Sequence, residues 1–80
     1  MPRYEILEIK NARKGIDVIE QGRKEQGISQ MKFAEKLNDP DVGQRYAGTL
    51  KRGDAKLSYT IRAARLAGYR VCFIKELIDP

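Results

Sequence analysis

The sequence has 80 residues, which is room for one domain spanning 1–80. Hydrophobic residues make up 41% of it and charged residues 34%, a balance typical of a globular chain and not of a disordered one. One cysteine and no histidine exclude an intrachain disulfide and leave too few ligands for a structural zinc site, so we expect no metal and no cofactor. No apolar run is long enough for a signal peptide or a membrane span, so we expect a cytoplasmic protein without a membrane partner.

The net charge of +5 is confined to one half of the chain. Residues 1–43 carry eight basic and eight acidic side chains, whereas residues 44–80 carry eight basic and three acidic ones. This excess would attract a polyanion such as a phosphate backbone, provided that the charges lie on an element that can dock.

The first half of the chain predicts a short strand followed by two helices. Residues 3–10 fit a strand or a helix turn, and we favour the strand. A first helix is predicted from Ala12 to Gln26, with Gly27 as its stop, although Gly15 and Gly22 each weaken it by roughly 1 kcal/mol. The second helix is better marked, because Ser29 is a favourable N-cap and apolar residues follow at helical spacing. The apolar positions of the second helix are Met31, Phe33, Ala34 and Leu37.

The third helix ends at Gly53, but its start has two interpretations. The second helix stops at Asn38-Asp39-Pro40, because proline cannot continue the hydrogen-bond ladder. Asp39 can then cap a helix that begins at Pro40, or residues 40–43 stay in a loop and the helix begins near Gln44. A fourth helix is predicted from Ser58 to Ala67, closed by Gly68.

The segment Arg70–Leu77 predicts a C-terminal strand. It is short, rich in β-branched and aromatic residues, and free of glycine and proline. A lone strand needs a partner, which either residues 3–10 or the same strand of a second subunit would supply. In a dimer of that kind the expected interface residues are Val71, Phe73 and Ile74.

The polar side of the third helix carries the functional prediction. On a helical wheel its amide, guanidinium, hydroxyl and ammonium groups share one side, with Tyr46, Ala47 and Leu50 opposite. In the major groove, glutamine pairs with adenine, arginine with guanine and threonine with a thymine methyl, while glycine permits close approach of the backbone. The alternative is an ordinary amphipathic helix with a solvated polar face. The predicted base-contacting residues are Gln44, Arg45, Gly48 and Thr49.

Gln30 opens the second helix, where its amide and nearby backbone N–H groups can hold a phosphate. An exposed helix residue without a ligand is the alternative for this glutamine. Basic residues around the third helix are further candidates for contacts with the phosphate backbone. The full predicted phosphate-contacting set is Gln30, Arg23, Lys51, Arg52 and Lys56.

These motifs resemble the lambda-repressor/Cro-type helix-turn-helix family, also called the xenobiotic-response-element family. The likeness covers about residues 16–69 and is strongest over Gly27-Ile28-Ser29-Gln30, Phe33-Ala34 and Leu37. It implies a mainly α, four-helix fold with a helix-turn-helix over about 29–53, here followed by the C-terminal strand. Weaker correspondences are Ile19, Arg23, Leu50-Lys51-Arg52-Gly53 and the run from Leu57 to Gly68.

The resemblance also implies roles for particular residues. Gln44 takes the place of a common base-contacting glutamine, and Arg45, Gly48 and Thr49 take other groove-facing places. Gln30 takes a phosphate-contacting place, and Arg23 and Arg52 lie where backbone contacts are usual.

Three departures from the family pattern stand out. The turn through Asn38-Asp39-Pro40 is about three residues longer than usual, which affects the register of the third helix. Lys51 stands where the family often has a glutamate paired to the helix-one arginine, so that ion pair is not expected. The strand-like tail replaces a fifth helix and is closer to Cro-type proteins that dimerise through strands.

The leading functional hypothesis is a sequence-specific regulator of transcription that binds double-stranded DNA. It would be a Cro-like repressor from a phage or mobile element, acting in the nucleoid as a homodimer on a pseudo-palindromic operator. The alternative is an antitoxin that binds its own operator and a toxin partner. A third hypothesis is a module that binds acidic protein or RNA. An enzyme is not expected, because the sequence has no histidine, no activated nucleophile and no glycine-rich phosphate loop.

Overall fold

The computed structural model describes residues 3–39 and 43–78, and within these ranges it contains four α-helices and no strand. The prediction of a mainly helical fold is confirmed, and the predicted bounds of the first and last helices are correct to within one residue. The longest helix has 14 residues, and none in the described ranges has the length and apolar character to cross a membrane. The helices are α1 (Ala12–Glu25), α2 (Gln30–Lys36), α3 (Gln44–Arg52) and α4 (Leu57–Leu66).

Side-chain caps and glycines set the ends of the helices. The side chain of Asn11 accepts a hydrogen bond from the Lys14 amide at the start of α1, and Ser29 does the same for the Lys32 amide in α2. Gly43 precedes α3 at a positive φ of 89°, so the structure agrees with the interpretation in which α3 begins at Gln44. Residues 40–42 of the predicted turn lie outside the described residues.

The core forms where the inward faces of all four helices meet. α3 packs against α1 and α2, and α1 also packs against α4. The rings of Phe33 in α2 and Tyr46 in α3 pack in a tilted arrangement, with their centroids 5.0 Å apart. Together these contacts fix the orientation of α3 relative to the rest of the molecule. The core side chains are Ile16, Ile19, Phe33, Leu37, Tyr46, Tyr59, Ala63, Ala64 and Ala67.

Gly22 is a close-packing position and not merely a weak point of α1. A Cβ atom at this residue would lie 2.6 Å from the Tyr69 ring and 2.7 Å from the carbonyl oxygen of Ala67. Only glycine therefore lets α1 approach the chain that leaves α4. Its cost in helix propensity is offset by this packing.

The predicted C-terminal strand is absent from the described part of the chain. Residues 70–78, which we call the C-terminal arm, are exposed, without regular structure and without a hydrogen bond to any described residue. Phe73 is 91% exposed, and the predicted interface residues Val71 and Ile74 are exposed with it. Residues 3–10 also lack the predicted strand. The physical reason is that strand propensity yields a strand only where a second strand is available to pair with it.

Candidate nucleic-acid interface

α3 has an inward face that is locked into the core. Tyr46 and Thr49 are each 1% exposed, and Leu50 is half-buried beside them. These three residues recur at intervals of three and four, which is the spacing of one helical face. Gly53 ends the helix at a φ of 70°, where its amide donates to the Thr49 carbonyl. These contacts anchor α3 to the core through its middle and at its C-terminal end.

The outward face of α3 is polar, small and without negative charge. Gln44, Arg45, Lys51 and Arg52 are exposed, and α3 contains no acidic residue. Ala47 and the half-buried Gly48 lie among them and leave the backbone accessible. A helix that is anchored on one side and presents an amide, cations and small residues on the other has the chemistry required to enter a groove lined by base edges and phosphates.

Thr49 does not belong to the outward face. Its burial contradicts the predicted base contact, because the side chain cannot reach a ligand without opening the core. The three other predicted base-contacting residues, Gln44, Arg45 and Gly48, lie on the accessible side of α3. Sequence reasoning placed Ala47 on the apolar side, but it is exposed. The spacing of Tyr46 and Leu50, read together with Thr49, would have identified both errors.

A polar cluster beneath the start of α3 joins three helices through the carboxylate of Glu20. Arg23 donates from Nε to Glu20 Oε1 at 2.6 Å and from Nη2 to Oε2 at 3.1 Å. The Tyr46 hydroxyl donates to Glu20 Oε1 at 3.1 Å, and the Gln30 amide donates to Oε2 at 3.4 Å. We call these four residues the Glu20 cluster.

The electrostatics of the Glu20 cluster favour the charged pair. Burial opposes ionisation of Glu20, but the hydrogen bonds from Arg23 and Tyr46 outweigh it, so the pKa of Glu20 lies below its ordinary value. Burial and the neighbouring Glu20 charge raise the pKa of the Tyr46 hydroxyl, which therefore stays a donor. The carboxylate thus acts as a fixed acceptor that ties α1 to the first turn of α3.

The guanidinium of Arg23 makes its hydrogen bonds inside the protein. It is 8% exposed, and its Nη1 donates to the Ile28 carbonyl at 2.5 Å in addition to the Glu20 bonds. This contradicts its predicted contact with a phosphate, because removing it from the cluster would leave Glu20 half-buried and unpaired. The sequence predicted no ion pair between Arg23 and Lys51. The anionic partner of Arg23 is instead Glu20, which belongs to the same helix.

Gln30 lies at the accessible start of α2. Its side chain is exposed, and its amide nitrogen, which carries two hydrogens, donates one of them to Glu20. A depression in the surface is lined by Gln30, Met31, Gly43, Gln44 and Ala47. The starts of α2 and α3 therefore form one continuous surface.

The end of α3 is capped by a side chain that sequence reasoning missed. Arg13 of α1 donates from Nη1 to the Leu50 carbonyl at 2.6 Å and from Nη2 to the Lys51 carbonyl at 2.9 Å. Its positive charge also suits the negative end of the helix dipole. The guanidinium packs so closely on Gly53 that any Cβ there would collide with it. No local pattern in the sequence links positions so far apart.

The remaining predicted phosphate-contacting residues differ in placement. Lys51 is exposed in the last turn of α3, and Lys56 is exposed immediately before α4. Arg52 turns back along α3, so that its Nη1 would be 3.0 Å from a Cβ atom at Gly48. All three are on or beside α3, and all contribute positive charge to the same region.

Comparison with known proteins identifies no relative of this chain. Protein-family models, curated proteins and solved structures were all searched, and none matches the chain.

Proposed function

We propose that this chain is a sequence-specific binder of double-stranded DNA in which α2 and α3 act as a helix-turn-helix. α3 lies in the major groove, and the start of α2 lies against the phosphate backbone. The observation that carries this proposal is the outward face of α3, which is accessible, free of acidic residues and presented by a helix fixed on its other side. Such a face meets DNA with little loss of conformational freedom.

The first two turns of α3 supply the direct readout. Gln44 presents an amide that can pair with adenine through two hydrogen bonds. Ala47, one turn further along the same face, offers a methyl group to a thymine methyl. Gln30 offers its second amide hydrogen to a phosphate, and Lys51 and Lys56 supply positive charge. In this proposal Arg23 and Thr49 stabilise the fold and do not contact DNA.

Binding of labelled duplexes, followed by fluorescence anisotropy over a salt series, tests the proposal. We expect binding to random duplex at about 50 mM salt, with an affinity that falls by about 0.9 log units per log unit of salt for each phosphate neutralised. A selected duplex should bind more tightly than the random one, and Gln44→Ala should remove part of that preference. Gln21→Ala is the matched control, because it removes the same amide from an exposed position on α1. Absence of binding to any duplex at low salt contradicts the proposal.

The C-terminal arm supports a homodimer as the binding form. It exposes five large apolar side chains and has no hydrogen-bond partner among the described residues. A surface of that kind is usually covered by a partner. Two copies of the arm can supply each other with the missing strand, and a dimer would place two α3 helices on a pseudo-palindromic site. The apolar residues are Val71, Phe73, Ile74, Leu77 and Ile78.

The charges of the arm favour one register for such a pairing. In a symmetric antiparallel pair centred on Phe73, Arg70 lies opposite Glu76 of the second copy at both ends. Centring on Lys75 or on Glu76 instead places like charges opposite each other, which is unfavourable. The Phe73 register therefore combines an aromatic pair at the axis with two pairs of opposite charge.

Disulfide trapping tests this register. Phe73→Cys in a Cys72→Ala background should crosslink two chains under mild oxidation, because the two introduced thiols would face each other across the axis. The unaltered Cys72 would lie opposite Ile74 and should crosslink poorly. A chain that stays monomeric in sedimentation equilibrium and forms no crosslink contradicts the homodimer. That outcome would favour the antitoxin alternative, in which the exposed arm binds a toxin.

A further inference from the structure

Arg52 does not extend from the end of α3 but lies back over the preceding turn. Its Nη1 would be 3.0 Å and its Cζ 3.9 Å from a Cβ atom built on Gly48. The guanidinium therefore occupies the space that a side chain at Gly48 would fill. The absence of a side chain at Gly48 leaves room for Arg52 on the outward face of the helix.

Two features account for this placement. Long side chains on a helix lean toward its N-terminus, and glycine is the residue that leaves room one turn earlier. A basic residue in the last turn of a helix commonly turns to the free carbonyl groups, but Arg13 already donates to those of Leu50 and Lys51. Arg52 is therefore not required as a cap.

We propose that Arg52 is a specificity-determining residue that reads guanine in the major groove, and that Gly48 is required to position it. This inference rests on the proposed DNA binding by α3. A guanidinium offers a planar pair of donors that matches the O6 and N7 acceptors of guanine, and it is the side chain most often found in that contact. The sequence-based assignment of Arg52 to a phosphate is replaced by this role.

The position of the guanidinium also separates the guanine contact from the contact made by Gln44. Arg52 reaches the level of Gly48, which is one turn, or about 6 Å, along the axis from Gln44. The guanine and the adenine read by Gln44 should therefore belong to different base pairs of the groove that α3 enters. Both lie on the same half-site, because both residues belong to one helix.

Arg52→Lys is the decisive variant, because it keeps the positive charge and removes the planar fork. Competition anisotropy with duplexes that differ at one base pair should show that the wild-type preference for guanine falls by roughly ten- to hundredfold. The salt dependence should keep its slope because no charge is lost, and affinity for random duplex should fall much less than the preference for guanine. Lys56→Gln is the control, because loss of a phosphate contact should weaken all sequences equally.

Substitution of Gly48 gives an independent test. Gly48→Leu fills the space of the guanidinium without touching its charge, and it should erase the preference at the same base pair. Gly48→Ala should have a smaller effect, because Nη1 needs to move by only a few tenths of an ångström. The double variant Gly48→Leu with Arg52→Lys should lose no more preference than Arg52→Lys alone. Circular dichroism should show unchanged helix content in each variant.

The outcomes that overturn each proposal are distinguishable. If the wild type binds duplex DNA and Arg52→Lys keeps every base preference, the reading of guanine by Arg52 is wrong while the proposed function stands. If Arg52→Ala weakens all sequences equally and lowers the salt slope by about one, Arg52 contacts a phosphate. If the wild type binds no duplex, the proposed function itself fails.

Discussion

The two faces of α3 differ in what their residues do, although they share nine residues of one helix. On the inward face, Tyr46 and Thr49 are buried and fixed by packing. On the outward face, Gln44 and Lys51 are exposed. Under the proposed function, this difference makes stability and DNA recognition separable within the helix. Variants of the inward face should change the free energy of unfolding, and variants of the outward face should change DNA binding.

Tyr46→Ala should produce the largest effect. It removes a buried ring that packs against Phe33 and a hydrogen bond to Glu20, so we expect a loss of about 3–5 kcal/mol in the free energy of unfolding. Urea unfolding followed by circular dichroism measures this loss. Tyr46→Phe, which loses the hydroxyl alone, should cost about 1 kcal/mol. If Tyr46→Ala cost less than about 1 kcal/mol, the ring of Tyr46 would not contribute to the core as described.

Glu20→Gln should have the next largest effect, because it leaves Arg23 largely buried without an anionic partner. We expect a loss of about 2 kcal/mol in the free energy of unfolding, allowing for partial exposure of the pair. Glu25→Gln is the matched control, since this carboxylate is exposed on the same helix and should change stability little. Equal losses for the two variants would show that the Glu20 cluster does not stabilise the fold.

The same carboxylate predicts a dependence of stability on acid. Because the folded pKa of Glu20 lies below its ordinary value of 4.5, its contribution is complete above that pH and is lost as the pH falls through the folded pKa. Wild type should therefore lose more stability than Glu20→Gln when both are titrated downward from pH 4.5. Parallel acid profiles for the two proteins would contradict this pKa shift.

Thr49→Val should have the smallest effect on stability and none on recognition. The substitution replaces a buried hydroxyl by a methyl group, so we expect a loss of about 1 kcal/mol in the free energy of unfolding. The base preferences of the variant should match those of wild type in competition anisotropy. A changed preference at one base pair would mean that Thr49 turns outward on binding. The inward face would then affect recognition as well as stability.

The sequence predicts the helices well because their ends are determined locally. Ser29 caps α2 through its own side chain, and Gly27 and Gly53 take the positive φ that ends a helix. The C-terminal arm has no strand in the described part of the chain for a related reason. A strand is not a local structure, and the composition of residues 70–78 says only that they would pair if a partner were present.

The candidate site was predicted less well, because it depends on contacts between distant residues. Gln44 and Arg45 fall on the accessible side simply from their positions on the helix. Thr49 was placed on the outward face, although its spacing from Tyr46 and Leu50 assigns it to the inward one. Arg13 was beyond local reasoning, since its partners lie at the end of α3. The ion pair of Arg23 was missed although its partner Glu20 lies only three residues earlier on the same helix.

Selection of bound sites from a random duplex library, carried out with wild type and with Gln44→Ala, tests the central claim most directly. We predict a short enriched motif with two related half-sites, in which Gln44→Ala loses the preference for one A·T pair in each half and keeps the rest. Thr49→Val should return the wild-type motif. A library that shows no enrichment, or a Gln44→Ala motif identical to that of wild type, would contradict the assignment of the outward face of α3 as the surface that reads DNA.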